Sequence, residues 1–471
     1  MTQPTDHAPS PGSHAVVIGG SMAGLLAGRV LADHFDRVTI VERDRFPLGP
    51  EFRSGVPQAR HVHLLLVRGR MILEQFFPTL MADLLAAGAP MLDTSADLKF
   101  LNPAGWLPRF RSDLNTFSCS RILLEWTVRQ QLARYAGVSF IEGCDVIGLL
   151  PNADNSGVTG VRVRSRGQAN AEAPDVQELH AGLVVDASGR SSRTPDWLQA
   201  LGYPRAEETV INAFLGYASR VYARPSGVSH DWQALWIATR PPALLRGGVI
   251  FPLEGDRWMV TLLGAARDYP PTDEADFLAF ARSLASPLLY EAITAAQPLS
   301  PIYGYQRTEN YLHHYERLGS WPENFVVLGD AVCAFNPIYG QGMTVAALSA
   351  LTLDQELRAY RRRGAHGDRR GLARQVQRQL AKRNATPWLL ATGEDFRYPA
   401  TEGGHPDRLT RLTHWYMDRV LLLCAEKVDV YSSFASVLHM LKPPSTLFRP
   451  SILFQVLTYR SLERRALSPA R

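Results

Sequence analysis

The sequence predicts an α/β fold in which a nucleotide-binding domain is combined with an antiparallel β-sheet domain and a helical C-terminal region. Residues 15–31 read as a strand, a glycine-rich turn and a helix, and residues 325–348 repeat that pattern. Between them, residues 210–263 contain the apolar and alternating runs that are typical of strands. The chain has 471 residues, too many for one simple core, so we expect two or three domains.

The composition is that of an ordinary globular protein, with 46% hydrophobic and 20% charged residues. The net charge is +5, and the positive residues are nearly all Arg and scattered, apart from residues 361–363 and 369–370. No aromatic residues interleave these clusters, which favours a solvated helix face over a nucleic-acid site. No run approaches the ~20 apolar residues of a membrane-spanning helix, and residues 1–12 lack the apolar segment of a signal peptide. We therefore expect a cytoplasmic protein that neither binds nucleic acid nor spans a membrane.

The spacing of cysteines and histidines predicts no metal site. The four cysteines are Cys119, Cys144, Cys333 and Cys424. No pair of them has C-x-x-C spacing, so neither a zinc site nor a disulfide framework is indicated. His61 and His63 stand close together, but no companion Cys or carboxylate cluster accompanies them.

The first strand–turn–helix segment has the pattern of a dinucleotide-binding turn. The strand at 15–18 is followed by G-G-S-M-A-G and an apolar helix, in which Gly28 allows close packing on the sheet. Ser21 replaces the second glycine of G-x-G-x-x-G and is small enough for a pyrophosphate to approach the backbone. The next strand, 38–41, ends in Glu42, where a carboxylate accepts ribose hydroxyls, which suits FAD or NAD better than NADP. The predicted cofactor contacts here are Gly19, Gly20, Ser21, Met22, Ala23, Gly24, Glu42 and Arg43.

A loop rich in Arg, Gly, Pro and His follows at 44–63, before an amphipathic helix predicted at 64–77. It carries Arg60 and His61. These two side chains either meet the pyrophosphate or the ring edge of the cofactor, or they cap and solvate the loop.

The segment at 324–344, N-F-V-V-L-G-D-A-V-C-A-F-N-P-I-Y-G-Q-G-M-T, is the part around which the chain is organised. An apolar strand ends in Gly-Asp, and a turn rich in Pro and Gly leads into a helix. Open α/β sheets bind ligands at the carboxyl ends of their strands and at helix N-termini. The unshielded N–H groups of residues 340–342, at the positive end of the helix, suit a ligand with partial negative charge.

The run G-D-A-x-x-x-x-x-P-x-x-G-Q-G resembles the second FAD signature of flavoprotein monooxygenases of the aromatic-hydroxylase type, the p-hydroxybenzoate hydroxylase-like superfamily. The resemblance implies a Rossmann-like FAD-binding domain of the GR2 type. It also implies that Asp330 binds the ribityl chain, that Pro337 lies beside the isoalloxazine, and that the helix start faces its N1–C2=O edge. Cys333 departs from the family, which often has His there. The FAD contacts implied in this segment are Gly329, Asp330, Pro337, Gly340, Gln341, Gly342 and Met343.

Other segments fit the same resemblance. Residues 183–192 read as a strand followed by D-A-S-G-R-S-S, a variant of the family's Asp-Gly motif. Ser188 stands where aromatic hydroxylases usually have Asp, which weakens the case for direct use of NADPH. In the family an Arg at the position of Arg121 reaches the flavin; the alternative is a surface ion pair with Glu125, four residues on. Val146 and Ala187 complete the predicted FAD contacts.

The predicted domain order alternates cofactor and substrate segments. The FAD-binding domain comprises 12–85, 115–200 and 305–365, the antiparallel-sheet substrate domain 86–114 and 201–304, and the C-terminal helical region 366–471. Within them we predict a hairpin between 158–164 and 178–180, a helix at 276–289, a strand at 302–312 and polar connections at 361–371 and 392–406. The β-rich segment resembles the sheet that roofs the flavin, and its large aromatic residues are either pocket wall or core: Trp232, Trp236, Phe251 and Trp258.

The stretch V-P-Q-x-R-H-x-H-x-L-L-x-R-G at 56–69 resembles a monooxygenase subgroup that includes the flavin epoxidases of bacterial polyether-polyketide biosynthesis. This resemblance implies that O₂ is used through a flavin C4a-hydroperoxide to epoxidise alkenes of an apolar, polyketide-like substrate in secondary metabolism. Electrons would come from NAD(P)H, directly or through a separate flavin reductase. Oxygen transfer to an alkene needs no protein base, whereas a phenol benefits from one, and His230, His313 and His314 do not stand out as bases. The flavin-edge candidates for the catalytic site are Pro337, Gly342 and Met343.

Four alternatives stay open. The first is hydroxylation of an aromatic or polyketide ring, because the family contains more hydroxylases than epoxidases. A flavin halogenase would carry W-x-W-x-I-P, and the nearest match, W-Q-A-L-W at 232–236, has the wrong spacing. Lys99 is the only lysine in the first 380 residues, so counting alone does not exclude a halogenase lysine. A geranylgeranyl-reductase-type enzyme shares the D-A-S-G variant, and a non-catalytic FAD-binding protein would not need residues shaped around the flavin edge.

Overall fold

The structure is a computed structural model and describes residues 13–166, 176–227, 230–363 and 369–459. Its strands, in chain order, are β1 (His14–Ile18), β2 (Arg37–Glu42), β3 (Met91–Asp93), β4 (Leu98–Asn102), β5 (Gly105–Trp106), β6 (Asn115–Phe117), β7 (Val138–Glu142), β8 (Cys144–Pro151), β9 (Val158–Ser165), β10 (Val176–His180), β11 (Leu183–Asp186), β12 (Glu208–Ile211), β13 (Gly216–Ala223), β14 (Ala234–Ile237), β15 (Arg246–Leu253), β16 (Arg257–Gly264), β17 (Tyr303–Tyr305), β18 (Asn310–His313), β19 (Phe325–Val327) and β20 (Cys333–Ala334).

The α-helices, in the same order, are α1 (Met22–Leu31), α2 (Val67–Phe76), α3 (Leu80–Ala86), α4 (Arg121–Leu132), α5 (Thr194–Ala200), α6 (Glu274–Arg282), α7 (Leu288–Thr294), α8 (Gly342–Arg362), α9 (Leu372–Asp395), α10 (Arg408–Glu426), α11 (Val428–Leu438) and α12 (Pro450–Thr458). Short 3-10 turns lie at Pro57–Arg60, Gly189–Ser191, Tyr315–Arg317, Gly329–Ala331, Pro337–Tyr339 and Pro444–Phe448.

A five-stranded parallel sheet with the order β19-β11-β1-β2-β7 forms the centre of the nucleotide-binding part. Val16 pairs with Val184 and Val185 with Val326, so β1, β11 and β19 are direct neighbours. Their residues are buried, as expected for a parallel sheet covered on both faces, and helices α1 and α8 pack together beside it. Because neighbouring parallel strands end at the same edge, the three turns singled out in the sequence meet there. The predicted α/β fold class is confirmed.

A seven-stranded sheet, β17-β13-β16-β15-β14-β4-β5, forms the predicted substrate side. Its pairs are antiparallel except one: β4 and β14 run parallel, with Phe100 opposite Trp236. No hairpin joins these two strands, so their relative direction is not constrained by a tight turn. The predicted hairpin is also present, with Val161 of β9 opposite Leu179 of β10.

Several local predictions were wrong in their bounds. The helix predicted at 276–289 is two helices, α6 and α7, because residues 283–287 end in Pro287, which cannot continue a helix and instead precedes the next one. The strand predicted at 302–312 is two strands, β17 and β18, which belong to different sheets. The helix predicted from 64 begins at Val67, and helices α8 and α9 extend into the predicted polar connections. Part of the connection at 361–371, and residues 1–12, lie outside the described residues.

Helices α10 to α12 of the C-terminal region pack onto the seven-stranded sheet, whereas α9 packs on α8 and β19 of the parallel-sheet part. Val420 and Leu423 of α10 and Tyr431 of α11 share one core with Phe100 of β4 and Val249 of β15. None of the helices in the described part of the chain is both long and apolar enough to cross a membrane. Helices α10 to α12 therefore cover one face of the seven-stranded sheet.

The close contact of helix α1 with the turn that precedes it gives a stability prediction. A Cβ atom at Gly24 would lie 1.8 Å from the carbonyl oxygen of Gly19. We expect Gly24→Ala to lower the free energy of unfolding by about 1–3 kcal/mol, because the helix must move off β1. In the control Gly393→Ala, in α9, a Cβ atom meets nothing within 4 Å, and the variant should gain about 0.5–1 kcal/mol. Urea unfolding compares the three proteins; equal midpoints for wild type and Gly24→Ala would contradict this packing.

Candidate active site

The three adjacent strand ends of the parallel sheet open into one large cavity. Its volume is about 1530 Å³, larger than the ~300–1,000 Å³ typical of a pocket for one small ligand. It runs from Ser21 and Asp330, at the strand ends, to Tyr431 and Phe448 in the C-terminal region. The cavity therefore has room for a dinucleotide and for a second molecule beside it.

The turn after β1 forms the first wall of this cavity. Gly19 has a φ of +97°, and the N–H of Gly20 donates to Oε2 of Glu42 at 2.7 Å. Helix α1 begins at Met22, and the side chain of its N-cap residue Ser21 makes no capping hydrogen bond. The first N–H groups of the helix are thus available to an anion. Ser21, Met22 and Ala23 line the cavity, whereas Gly19, Gly20, Gly24 and Glu42 shape the turn behind them.

A buried ion network holds this turn against the following loop. The Arg53 guanidinium donates to Oε1 of Glu125 at 2.7 and 2.9 Å and to Oδ2 of Asp44 at 3.2 Å. It also lies 3.2 Å from Oε2 of Glu42. Burial alone would lower the pKa of Arg53, but these three carboxylates raise it. Sequence reasoning missed Arg53, because the only signal was an Arg-rich loop that gives no sign of which side chain turns inward.

Arg121 brings an unused hydrogen-bond donor to the edge of the same network. It is 4% exposed, pairs with Oε2 of Glu125 at 2.6 Å and donates to the Ser21 hydroxyl at 3.0 Å. Its Nη1 is buried and has no hydrogen-bond partner among the described residues. Leaving a buried donor unpaired is costly, and a pyrophosphate beside Ser21 would satisfy it. The ion pair between Arg121 and Glu125 is therefore present, but it is buried and does not lie at the surface. The unpaired Nη1 of Arg121 also fits a cofactor at this wall.

The turn after β19 forms the second wall. The Asp330 carboxylate makes no hydrogen bond or ion pair with another described residue; burial raises its pKa, and Arg190 and Arg121 lower it in part. Gly340 has a φ of +64°, and helix α8 begins at Gly342 without a side-chain cap. A Cβ atom at Gly342 would meet nothing closer than Oδ1 of Asp330 at 4.0 Å, so the backbone there is open. The cavity-lining residues of this segment are Asp330, Pro337, Gly340, Gln341, Gly342 and Met343, with Gly329 behind them.

His61 lines the cavity on the side of the seven-stranded sheet. Its Nδ1 lies 2.8 Å from the Ser219 hydroxyl, and its ring lies beside Tyr217 and Tyr305. Burial lowers the pKa of His61 to about 3, so the imidazole is neutral at any pH at which the protein would work. His61 is thus placed where the cavity passes from the strand ends of the parallel sheet to the seven-stranded sheet.

The other predicted contacts divide into two groups. Arg43 and Ala187 line the cavity. The guanidinium of Arg60 lies between the rings of Phe52 and Tyr303, 3.8 and 3.9 Å from their centroids, and Val146 lies in β8; neither lines the cavity. Their predicted roles toward FAD stay predictions.

The part of the cavity between the seven-stranded sheet and the C-terminal helices, which we call the outer chamber, has two walls that are formed mainly by apolar side chains. Its sheet side is formed by Leu98, Phe100, Trp236, Val249 and Phe251, and its helix side by Met417, Leu421, Leu422, Tyr431, Phe434 and Leu447. The rings of Phe100 and Trp236 stack with centroids 4.6 Å apart. Trp232 and Trp258 instead stack on each other in a separate core. Sequence reasoning missed the helical wall, because apolar periodicity in α10 and α11 fits any core.

The donor set of the cavity does not suggest a metal. In the described ranges, no group of three or more His, Cys, Asp and Glu side chains is arranged to hold a metal ion.

Comparisons with known proteins agree with this site. An FAD-binding-domain family matches residues 13–370. Protein Rv3254 of Mycobacterium tuberculosis (strain ATCC 25618 / H37Rv) is 33% identical over 385 residues, which cover 81% of this chain and 80% of that protein. YhjG of Bacillus subtilis (strain 168), described as an uncharacterized aromatic compound monooxygenase, is 25% identical over 399 residues, covering 83% of this chain and 66% of that protein.

The architecture is shared with solved flavoenzyme structures. The flavin-dependent brominase Bmp2 superposes with a TM-score of 0.64 at 15% identity, covering 90% of this chain and 93% of that chain. At such low identity the likeness concerns the fold alone. The family match spans both nucleotide turns and the seven-stranded sheet, and the chain therefore belongs to this FAD-binding-domain family.

Proposed function

We propose that this protein is a cytoplasmic FAD-dependent monooxygenase that epoxidises one or more alkenes of an apolar, polyketide-like molecule. It would use O₂ and electrons from NAD(P)H, delivered directly or by a separate flavin reductase. The observation that carries the proposal is the apolar sheet wall of the outer chamber, formed by Leu98, Phe100, Trp236, Val249 and Phe251, which carries no ionisable base. The resemblance of residues 56–69 to polyether epoxidases supports the same reaction.

The two turns would hold the cofactor. The N–H groups at the start of α1 and the free Nη1 of Arg121 suit the pyrophosphate, and Asp330 suits a ribityl hydroxyl. The uncapped N-terminus of α8, at Gly342, places a positive dipole end at the cavity wall. Bound FAD supplies the electrons and the activation of O₂; the protein holds it in place and keeps water away.

The outer chamber would bind the substrate through shape and apolar contact. Apolar clefts bury most of a ligand's surface and orient it with few polar groups. The stacked pair of Phe100 and Trp236 lines the same chamber as Leu421 and Leu422. An extended, neutral hydrocarbon segment therefore fits better than a charged molecule.

His61 and His439 of the cavity are poor bases for a phenol, whose pKa is near ~10. Burial lowers the pKa of His61 to about 3 and that of His439 to about 4. Both ring nitrogens of His439 are already engaged, with the N–H of Val67 at 3.3 Å and the Thr94 hydroxyl at 2.9 Å. An alkene is itself the nucleophile and needs no proton removed, so this wall suits epoxidation better than phenol hydroxylation.

The placement of the lysines supports oxygen transfer over halogenation. Lys99, on β4, pairs with Asp231 at 3.2 Å and does not line the cavity, whereas its neighbours Leu98 and Phe100 do. This follows from the alternation of side chains along a strand. The remaining lysines of the chain are exposed and also lie off the cavity: Lys382, Lys427 and Lys442.

A second candidate is hydroxylation of an aromatic or polyketide ring. It is favoured by the relative YhjG, which is described as an aromatic compound monooxygenase. The same cofactor and O₂ would serve that reaction, and only the position and chemistry of the reacting carbon differ.

The first prediction concerns cofactor retention. Asp330→Ala should weaken FAD binding by about 10- to 150-fold, because a charge-assisted hydrogen bond worth ~1.5–3 kcal/mol is lost. The control is Asp113→Ala, which removes an exposed carboxylate that lies outside the cavity. FAD is titrated into apoprotein and followed by flavin fluorescence. Equal affinities for wild type and Asp330→Ala would rule out this role for Asp330.

The second prediction concerns the helix start at the flavin edge. Gly342→Pro should lower the flavin reduction potential by roughly 10–40 mV, because it removes an N–H from the positive end of α8. Proline is tolerated at a first helical position, so the helix should persist. Gly342→Ala keeps the N–H and serves as the matched control. An unchanged potential in a Gly342→Pro variant that still binds FAD would place the flavin ring elsewhere.

The third prediction concerns the reaction itself. Reduced enzyme is given ¹⁸O₂ and either a polyene without a phenol or a phenol without an isolated alkene. We expect one labelled oxygen atom in an epoxide of the polyene, detected by mass spectrometry. A parallel reaction with oxidised enzyme controls for autoxidation. Label found only in the phenol product would reject epoxidation and favour the hydroxylase alternative.

A further inference from the structure

A buried carboxylate on the last residue of helix α9 contacts the turn that the proposed function places beside the flavin. Asp395 is 0% exposed. Its Oδ1 accepts hydrogen bonds from the Tyr339 hydroxyl at 2.6 Å and from Nδ2 of Asn336 at 3.1 Å, and its Oδ2 accepts one from Nδ2 of Asn310 at 2.5 Å. Three neutral donors from two different segments therefore converge on one carboxylate.

No cation neutralises this carboxylate within the described part of the chain. The nearest arginine in sequence, Arg397, pairs with Glu394 at 2.8 Å and with Asp418 at 2.7 Å. An isolated buried carboxylate is unfavourable unless its oxygens are well hydrogen-bonded. The three donors supply those bonds, so the cost of burying Asp395 is tied to the position of its partners.

Those partners define the geometry of the flavin-facing turn. The N–H of Asn336 donates to Oδ1 of Asn310 at 2.8 Å, and the Asn336 side chain accepts from the N–H of Ile338 at the start of the 3-10 turn. Tyr339, at the end of that turn, lines the cavity, as does Pro337. Asp395 thus lies directly behind Tyr339, a residue of the cavity wall. Its hydrogen bonds to Asn336 and Tyr339 hold both ends of the turn.

We propose that Asp395 is a positioning residue that fixes the turn Pro337–Tyr339 against the flavin and, through its negative charge, lowers the reduction potential of the bound cofactor. This proposal rests on the proposed function, which places the flavin ring at that turn. A negative charge close to the flavin opposes the gain of electrons, so a neutral residue at this position raises the potential. The C-terminal helical region thereby influences the oxidation chemistry as well as covering the outer chamber.

The charge of Asp395 should depend on pH in the neutral range. Burial raises the pKa of Asp395 to about 7, and the bonds from Tyr339, Asn336 and Asn310 lower it in part. The other titratable groups that face it are tyrosines whose pKa values are raised by burial, so they stay neutral: Tyr217, Tyr339 and Tyr398. On its own helix, Glu394 is paired with Arg397. Asp395 is therefore neutral below pH 7 and negative above it, and the potential should fall more steeply with rising pH across that point.

The test measures the reduction potential of the FAD-loaded protein between pH 5.5 and pH 9. We expect Asp395→Asn to have a higher potential than wild type at pH 9 and the same potential at pH 5.5. Tyr339→Phe removes one hydrogen bond from the ionised carboxylate, so its steep region should move to higher pH than in wild type. If Asp395 only stabilised the fold, neither of these pH-dependent changes in reduction potential would be expected.

The control is Asp354→Asn, which removes a different buried carboxylate, located in helix α8. Asp354 is bonded to His34 and Arg358 and lies about 18 Å along the helix from Gly342, so its loss should lower stability without altering the potential. A constant difference between Asp395→Asn and wild type at all pH values, or no difference, overturns the proposal while leaving FAD binding intact. A wild-type protein that takes up no FAD overturns the proposed function and this inference together.

Discussion

The buried ion network around Arg53 is the interaction on which the cofactor side of the molecule depends. It joins the end of β2, the loop that follows and helix α4, through Glu42, Asp44 and Glu125. Buried charges are tolerated only when each has its partner, and removing one partner typically costs about 3–5 kcal/mol. Because Glu42 also accepts the N–H of Gly20, the shape of the nucleotide turn is fixed by the same charges that close the loop over it.

Local motifs were predictable, and long-range contacts were not. The segments at 15–31 and 325–348 were identified because strand, turn and helix are adjacent in sequence, and their convergence follows from parallel pairing. Arg53 and Asp395 escaped notice because their partners lie up to 85 residues away in sequence. The single helix predicted at 276–289 failed at Pro287, where a local signal was present and overlooked. The domain boundaries and the roles of individual site residues toward FAD stay predictions.

Neutral side chains surround the place where the oxygen chemistry is proposed. His61, His63 and His439 in the cavity are uncharged because burial lowers their pKa values, and the tyrosines beside Asp395 are uncharged because burial raises theirs. Fixed charges of the cavity lie on the cofactor side, among them Asp330 and Arg121, and at the C-terminal helices, among them Glu394, Arg397 and Asp418, but not among the residues named for the sheet wall of the outer chamber. On the sheet wall of the outer chamber, a reactive oxygen species would thus meet apolar side chains.

Only one of the two walls of the outer chamber lies in the part of the chain that matches the family. The sheet wall lies inside the region 13–370 that the family shares, whereas the wall formed by α10 and α11 lies beyond it. The shared region carries the oxidising machinery, so relatives can keep it constant while their terminal helices diverge. Substrate range would then depend on α10 and α11, and exchanging these two helices between relatives, while keeping α9 with Asp395, would transfer selectivity without rebuilding the cofactor turns.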